Sequence, residues 1–261
     1  MRILELFSGT HSVGKVFKEH GYEVVSVDRD LTGSCPLGSG YESEKHFQED
    51  IMTWNYKQYP EGYFKVITAS PVCLWWSNIR SCWIGRKCKT IHPTDIITPE
   101  HIMADIEKYG KPMVDKIFEI IEYFKPEVWW IENPHTGKMK NYISEKYPQY
   151  DTYYNVDYCK YCDWGYKKRT RFWTNLKDFK PKICHDDCDN IVQFGKIKRH
   201  KHNIANNQYI IDDGKKIFLN HKVLRDKYKD HTKYNLNKEK VSLYDRYRIP
   251  ENLIEEFLKL I

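Results

Sequence analysis

Among the residues of this chain, Cys73 is the one best placed to do chemistry. It lies in Ala69-Ser70-Pro71-Val72-Cys73-Leu74-Trp75-Trp76-Ser77, directly after Phe64-Lys65-Val66-Ile67-Thr68. The β-branched residues of that run read as a buried strand. Pro71 ends it and delivers the thiol to the C-terminal edge, where open α/β sheets bind ligands. A thiolate there can attack an electron-poor carbon. A lone cysteine is more simply read as core packing. The strand, the proline and the Trp/Ser-rich turn favour the nucleophile.

Other reactive side chains stand at comparable places. Val128-Trp129-Trp130-Ile131 is apolar throughout, as a central parallel strand is, and it ends in Glu132-Asn133-Pro134. A carboxylate at such an edge is costly unless paired or solvated. Arg169 and Arg171 lie two apart on an extended segment and therefore share a face. Asp28 closes the strand Glu23–Val27, where an acid can hold the two hydroxyls of a ribose. Asp50, at the end of a third short strand over His46–Ile51, can accept a bond from an adenine amino group. Trp75, Trp76 and Trp83 interleave with Arg80, Arg86, Lys87 and Lys89, a composition that suits a base-stacking, backbone-gripping lid as well as an ordinary packed loop.

The elements that must position these residues follow from periodicity. Ile3–Phe7 is a strand, Ser8-Gly9-Thr10 a sharp turn, and Val13, Val16 and Phe17 mark a helix that Gly21 caps. Strand, small-residue turn and helix form the first half of a nucleotide-binding βαβ unit, with free amides at the helix start. Pro99 opens a long helix carrying Met113, Val114, Ile117, Phe118 and Ile121, and Lys125-Pro126 stops it. Asp151–Tyr158 reads as an outer strand. From Asn175 to Lys240 the sequence turns polar and rich in Lys, Asn and His, with a hairpin expected across Asp212-Asp213-Gly214. A last helix after Pro250 returns Leu253, Ile254, Phe257 and Leu258 to the core.

The 261 residues allow one large α/β domain with a small appendage, and the 41% apolar fraction is enough for a core. The net charge of +6 fits a polyanion partner without demonstrating one. No apolar run approaches the roughly 20 residues of a membrane span. Met1-Arg2-Ile3 opens directly into a strand, so the expectation is a protein that is not secreted, from a reducing compartment. There its eight cysteines are thiols or metal ligands rather than disulfides. Cys159-x2-Cys162 and Cys184-x3-Cys188, with 21 residues between Cys162 and Cys184, have a spacing near that of four-cysteine zinc sites. His185, His200 and His202 stand nearby as substitutes for a missing ligand, and free thiols remain the plainer reading.

In order, these edges carry Phe7-Ser8-Gly9-Thr10, Asp28, Asp50, Ser70-Pro71-Val72-Cys73, Glu132-Asn133-Pro134 and Arg169-Thr170-Arg171. That series resembles the DNA (cytosine-5) methyltransferase family, in particular its compact phage and viral members. It extends over Arg2–Leu176 and the C-terminal helix. The resemblance implies an α/β, Rossmann-like class I S-adenosylmethionine-dependent methyltransferase fold, with a mostly parallel sheet and a small target-recognition insert. It divides the chain into a catalytic domain (1–176), a target-recognition region (177–240) and a helix returning to the catalytic domain (241–261). It implies S-adenosylmethionine bound by Phe7, Ser8, Gly9, Thr10, Asp28, Asp50, Ile51, Ser70 and Pro71. Cys73 is then the nucleophile, Glu132 the cytosine-holding carboxylate, Arg171 the residue holding the O2 edge, and Arg169 and Arg171 together a pair lowering the Cys73 pKa. The implied partner is double-stranded DNA, with RNA left open, bound by a monomer in the cytoplasm or a viral or host nucleic-acid compartment. The chain departs from the family in having Val72 where a second proline is usual, His11 in place of a small residue, and Arg246-Tyr247-Arg248-Ile249-Pro250 where Gly-Asn-Ser-Val is common. Two rivals stay open: an amino methyltransferase acting on N4 of cytosine or N6 of adenine, and a DNA-binding regulator with a degenerate methylase fold.

Overall fold

The computed structural model describes residues 1–29, 45–88, 91–194, 196–204, 206–219, 222–229, 237–240 and 243–261. The chain runs β1 (Arg2–Leu6), α1 (Ser12–Glu19), β2 (Glu23–Val27), β3 (Lys45–Phe47), β4 (Val66–Ala69), β5 (Lys87–Cys88), β6 (His92–Ile96), α2 (Pro99–Asp105), α3 (Lys111–Phe124), β7 (Val128–Pro134), α4 (Met139–Lys146), β8 (Tyr153–Asp157) and β9 (Arg169–Thr174). Seven of these strands form one sheet in the order β3-β2-β1-β4-β7-β9-β8. The first five are mutually parallel, whereas β9 runs antiparallel to both β7 and β8. The strand order reverses between β1 and β4, so the ligand crevice of a doubly wound sheet falls at their carboxyl ends.

Alternation along the strands sorts the core into two layers. Leu4, Leu6, Ile67, Ile131 and Trp173 face α3, which contributes Val114, Ile117, Phe118, Ile121 and Phe124. Ile3, Val24, Val66, Trp130 and Phe172 face the other way, toward Val13, Val16 and Phe17 of α1. The last helices, α6 (Leu243–Tyr247) and α7 (Glu251–Leu258), follow α5 (Lys222–Lys227). Phe257 of α7 lies 5.1 Å from the Trp130 ring and 5.3 Å from Phe172, centroid to centroid, so the C-terminus is anchored to the sheet as its apolar stripe requires. Burying one such side chain contributes about 1.5–3 kcal/mol. Helix α1 ends where expected, with Gly21 at φ 77°. At the end of α3 the same left-handed geometry falls to Lys125, at φ 49°.

The third strand is shorter than its sequence suggests, ending at Phe47, and Asp50 stands in the following turn, where its carboxylate accepts from the Met52 amide. The Trp/Arg segment is also less free than a lid. Trp76 and Arg80 are buried, Lys89 lies outside the described residues, and Arg80 pairs with Asp105 inside the α2 layer. His92 donates to the same carboxylate at 2.9 Å. Burial alone would raise the Asp105 pKa, but the hydrogen bonds from His92 and Arg80 outweigh it and hold the acid below its ordinary value. Asp105→Ala strands a buried guanidinium and is expected to cost about 3–5 kcal/mol, read as a lowered urea midpoint.

Beyond β9 lie a hairpin, β10 (Ile191–Phe194) with β11 (Ile197–His200), and a three-stranded sheet in which β12 (Asn206–Asp212) pairs with β13 (Lys215–Phe218) and β14 (Asn237–Lys240). The β12–β13 turn uses Asp213 at φ 49° and Gly214 at φ 70°, the two positive values a tight hairpin needs. Among the described residues no helix is long and apolar enough to cross a membrane.

Candidate active site

The turn after β1 is built from residues that bend backward. Phe7, Gly9 and His11 all have positive φ, at 56°, 34° and 52°. Non-glycine residues occupy this region only at a cost. The Gly9 amide donates to Asp28 Oδ2 at 2.8 Å, so the acid ending β2 meets the turn after β1. Glu5 holds the turn from beneath: although buried, its carboxylate accepts from the Gly14 amide at 3.1 Å and from the Ser26 hydroxyl at 3.2 Å. Glu5 was not singled out in the sequence. A charge inside an otherwise apolar strand was the available signal.

This edge fits the cofactor that the resemblance implies. Ser8 Oγ is buried without a hydrogen-bond partner in the turn, Asp28 and Asp50 follow β2 and β3, and Ile51 gives a buried apolar wall. The Ser70 amide donates to Leu6 O at 3.2 Å, which places Ser70 and Pro71 beside the same turn. A cavity of about 610 Å³ opens behind Thr10 and His11, toward Trp164, Arg248 and Asn252, and its lining does not include Cys73, Asp28 or Glu132.

Cys73 starts a single 3₁₀ turn, Cys73–Trp75, immediately beyond β4. Val72 before it has φ −52°, within the range of the proline usual there, so the bend survives the substitution. The neighbouring strand is stitched to this turn: Asn133 donates its side-chain amide to Pro71 O at 3.0 Å, and the Lys138 amide donates to Trp76 O at 2.8 Å. Gly110 lets the turn pack closely, since a Cβ there would stand 3.0 Å from the Trp76 ring.

Glu132 is buried, accepts a bond from the Tyr158 hydroxyl at 3.3 Å, and has Lys168 Nζ 3.6 Å away. Lys168 is itself held by the Arg246 carbonyl at 3.1 Å, so the end of α6 supports the site. Burial and the Glu132 charge push the Cys73 thiol above its ordinary value, while Lys168 works against them. Tyr247 lies close enough to feel a charge on Cys73: burial first, then that charge, raises its hydroxyl.

The arginine pair is placed otherwise than expected. Arg169 donates both Nε and Nη2 to Asp157, at 2.9 and 2.7 Å. Arg171 donates to Asn155 at 3.0 Å and lies over the Tyr153 ring at 3.6 Å. Two residues apart do share a face, but in the β7–β9 register Asn133 pairs with Arg171 and Glu132 with Phe172. The arginines therefore sit on the face opposite Glu132, and Lys168 is the cation beside it. Lys168 and Tyr158 were missed because nothing in a single strand tells which of its two faces meets a distant acid.

A thiol held this way is a slow nucleophile at neutral pH. Below its pKa the thiolate fraction grows about tenfold per pH unit. In a Cys82→Ser background, alkylation of Cys73 followed by peptide mass spectrometry is expected to rise at that rate from about pH 7 to 9 without a plateau. Lys168→Met, which removes the lowering charge, is expected to slow it throughout.

The four cysteines singled out by spacing do not all come together. Cys159, Cys184 and Cys188 come together with His200, whereas the Cys162 thiol turns back to donate to Tyr158 O at 3.1 Å.

An open sheet of this order with the turn after β1, an acid at β2 and a thiol after β4 defines a class I methyltransferase scaffold. The chain is 37% identical over 209 residues to a "Probable DNA (cytosine-5)-methyltransferase" of Frog virus 3 (isolate Goorha), covering 78% of this chain and 86% of that one. It belongs to the DNA (cytosine-5) methyltransferase family. A scan against protein-family models gave no match. Among solved structures, the DNMT2 protein of Spodoptera frugiperda is 16% identical with a TM-score of 0.40, over 69% of this chain and about half (53%) of that one. A SAM-dependent methyltransferase of Methanosarcina mazei is 10% identical with a TM-score of 0.34, over 66% and 90%.

Proposed function

We propose that the protein transfers a methyl group from S-adenosylmethionine to C5 of a cytosine flipped out of double-stranded DNA, through a covalent adduct at Cys73. The observation that carries this reading is the placing of Cys73 and Glu132 after and at the carboxyl ends of adjacent parallel strands, with Lys168, just before antiparallel β9, beside Glu132, in a chain of this family. Neither an amino methyltransferase nor a regulator without turnover calls for that thiol beside that carboxylate.

Cytosine C5 is a weak nucleophile until C6 is attacked. The Cys73 thiolate forms a bond to C6, and the electron pair displaced from the C5–C6 bond makes C5 an enamine carbon. Glu132 accepts a bond from the exocyclic amine and shares a proton with N3, where the electron pair pushed into the ring collects, and Lys168 stands 3.6 Å from that carboxylate. S-adenosylmethionine, when bound, supplies an electrophilic methyl. Loss of the C5 proton to a base then expels the Cys73 thiolate, and the ring is aromatic again. The target must leave the helix for its C6 to reach a thiol in a crevice. Arg169 and Arg171 act at one remove, bracing β8 and β9. Residues 177–240, basic and with their described strands in two small sheets of their own, serve as the target-recognition region, with Lys on phosphates and Asn or Gln on base edges.

The test is methyl transfer from labelled S-adenosylmethionine to duplex DNA, with products digested to nucleosides and identified by mass spectrometry. The expected product is 5-methylcytosine. N4-methylcytosine or N6-methyladenine instead identifies an amino enzyme, cofactor binding without product a regulator, and exclusive labelling of an RNA arm moves the substrate class.

A further inference from the structure

We propose that Cys159, Cys184, Cys188 and His200 form a Cys₃His zinc site that fastens the target-recognition region to the catalytic sheet. The four ligand atoms all lie within 4.8 Å of one another. His200 Nε2 stands 3.7 Å from Cys184 Sγ and 3.4 Å from Cys188 Sγ. Zinc bonds of about 2.3 Å to sulfur and 2.0–2.1 Å to nitrogen, at the tetrahedral angle, require S···N edges of about 3.6 Å and S···S edges of about 3.8 Å. The two observed S···N separations straddle the first value, and with no pair more than 4.8 Å apart the sulfur atoms reach the second with shifts of at most about 1 Å. A tetrahedron of that size encloses one ion, and soft thiolates with one imidazole select zinc over harder cations.

The surroundings are those of a built site. Cys159 and Cys184 are 3% and 2% exposed, so water does not compete for the thiols. Their backbone is fixed: Asn190 donates to the Cys159 and Cys162 carbonyls, the Cys184 amide donates to Asp157, and Lys167 Nζ donates to Cys184 O at 2.8 Å. Three thiolates on a divalent ion leave one net negative charge, which together with that of Asp157 is matched by the two cations paired with Asp157, Lys167 and Arg169. Outer partners of this kind orient ligands and tune the metal.

The ligands come from separate parts of the chain. Cys159 belongs to the turn after β8, next to Tyr158, whose hydroxyl reaches Glu132. Cys184 and Cys188 lie in the loop beyond β9, and His200 ends β11. Apolar contact here is small, a cluster of the three cysteines with Ile191 beside it. A metal closing these loops supplies cohesion that such a core lacks.

The experiment is zinc analysis of full-length protein purified without chelator, independent of any methyl transfer. One zinc per chain is expected, retained in Cys162→Ser and lost in His200→Ala, with His200→Cys restoring it. Should the losing variants fail to fold, exchange of the wild-type and Cys162→Ser proteins into cobalt(II) decides: visible absorption of a tetrahedral thiolate site in both supports the proposal. Metal-free folded protein, a disulfide between any two of the three cysteines, or zinc lost from Cys162→Ser but kept in His200→Ala overturns it.

Discussion

Cys73→Ser is expected to abolish 5-methylcytosine formation, with a loss on the order of 10⁴-fold or more, while S-adenosylmethionine binding is unchanged. The hydroxyl is a poor nucleophile at its own pKa, and nothing placed beside residue 73 deprotonates it: Glu132 repels a developing anion there and Lys168 only partly offsets it. Binding should persist because the turn at Phe7–His11, Asp28 and the buried Ser8 hydroxyl involve no cysteine. DNA carrying 5-fluorocytosine at the target gives a complementary readout. Fluorine at C5 cannot leave as a proton does, so the wild-type protein should be trapped as an adduct resistant to denaturation, and the serine variant should not. Appreciable turnover by Cys73→Ser would falsify the covalent mechanism, and an active wild type that forms no adduct would do so independently.

How far the site was legible in the sequence depended on what each residue's position depends on. Cys73 and Glu132 each end a run whose apolar character identifies a central parallel strand, and parallel strands in one sheet deliver their last residues to one edge. Asp28 and the Phe7–Thr10 turn were legible for the same reason. Lys168 was not, because its place beside Glu132 depends on the antiparallel register between β7 and β9, which a single strand does not encode. The same register, which a single strand does not encode, places the Arg169 and Arg171 guanidinium groups against Asp157 and Asn155. The Trp/Arg segment misled through composition: Trp76 and Arg80 resemble a nucleic-acid-binding loop, but the Asp105 partner that buries Arg80 lies 25 residues away. Cysteine spacing pointed to two loops that do meet. Which way the Cys162 thiol faces is decided by the 3₁₀ turn Tyr158–Lys160, and no count of intervening residues reports that.

Glu132→Gln tests whether charge, rather than shape, is what β7 contributes. The amide has nearly the same volume and still reaches Tyr158, so the fold and cofactor binding should be kept. What changes is the hydrogen-bonding sense toward cytosine. A carboxylate accepts from both the exocyclic amine and a protonated N3, while glutamine can accept at one atom only and carries no charge to stabilise the protonated ring. The resulting penalty appears as the Cys73–C6 bond forms. Preorganised groups of this kind are worth about 10²–10³-fold in rate, so kcat should fall by that factor with little change in KM for S-adenosylmethionine. A second effect runs the other way. Glu132 raises the Cys73 thiol, so removing its charge should bring that thiol closer to its ordinary value and speed alkylation at neutral pH. The two measurements together separate electrostatic stabilisation from simple disorder. A variant that methylates slowly yet alkylates faster at Cys73 fits the geometry, and one that is slow in both has lost the site's shape. Turnover within a few-fold of wild type would remove Glu132 from the mechanism, and the neighbouring Lys168 would then lose the carboxylate it is proposed to support.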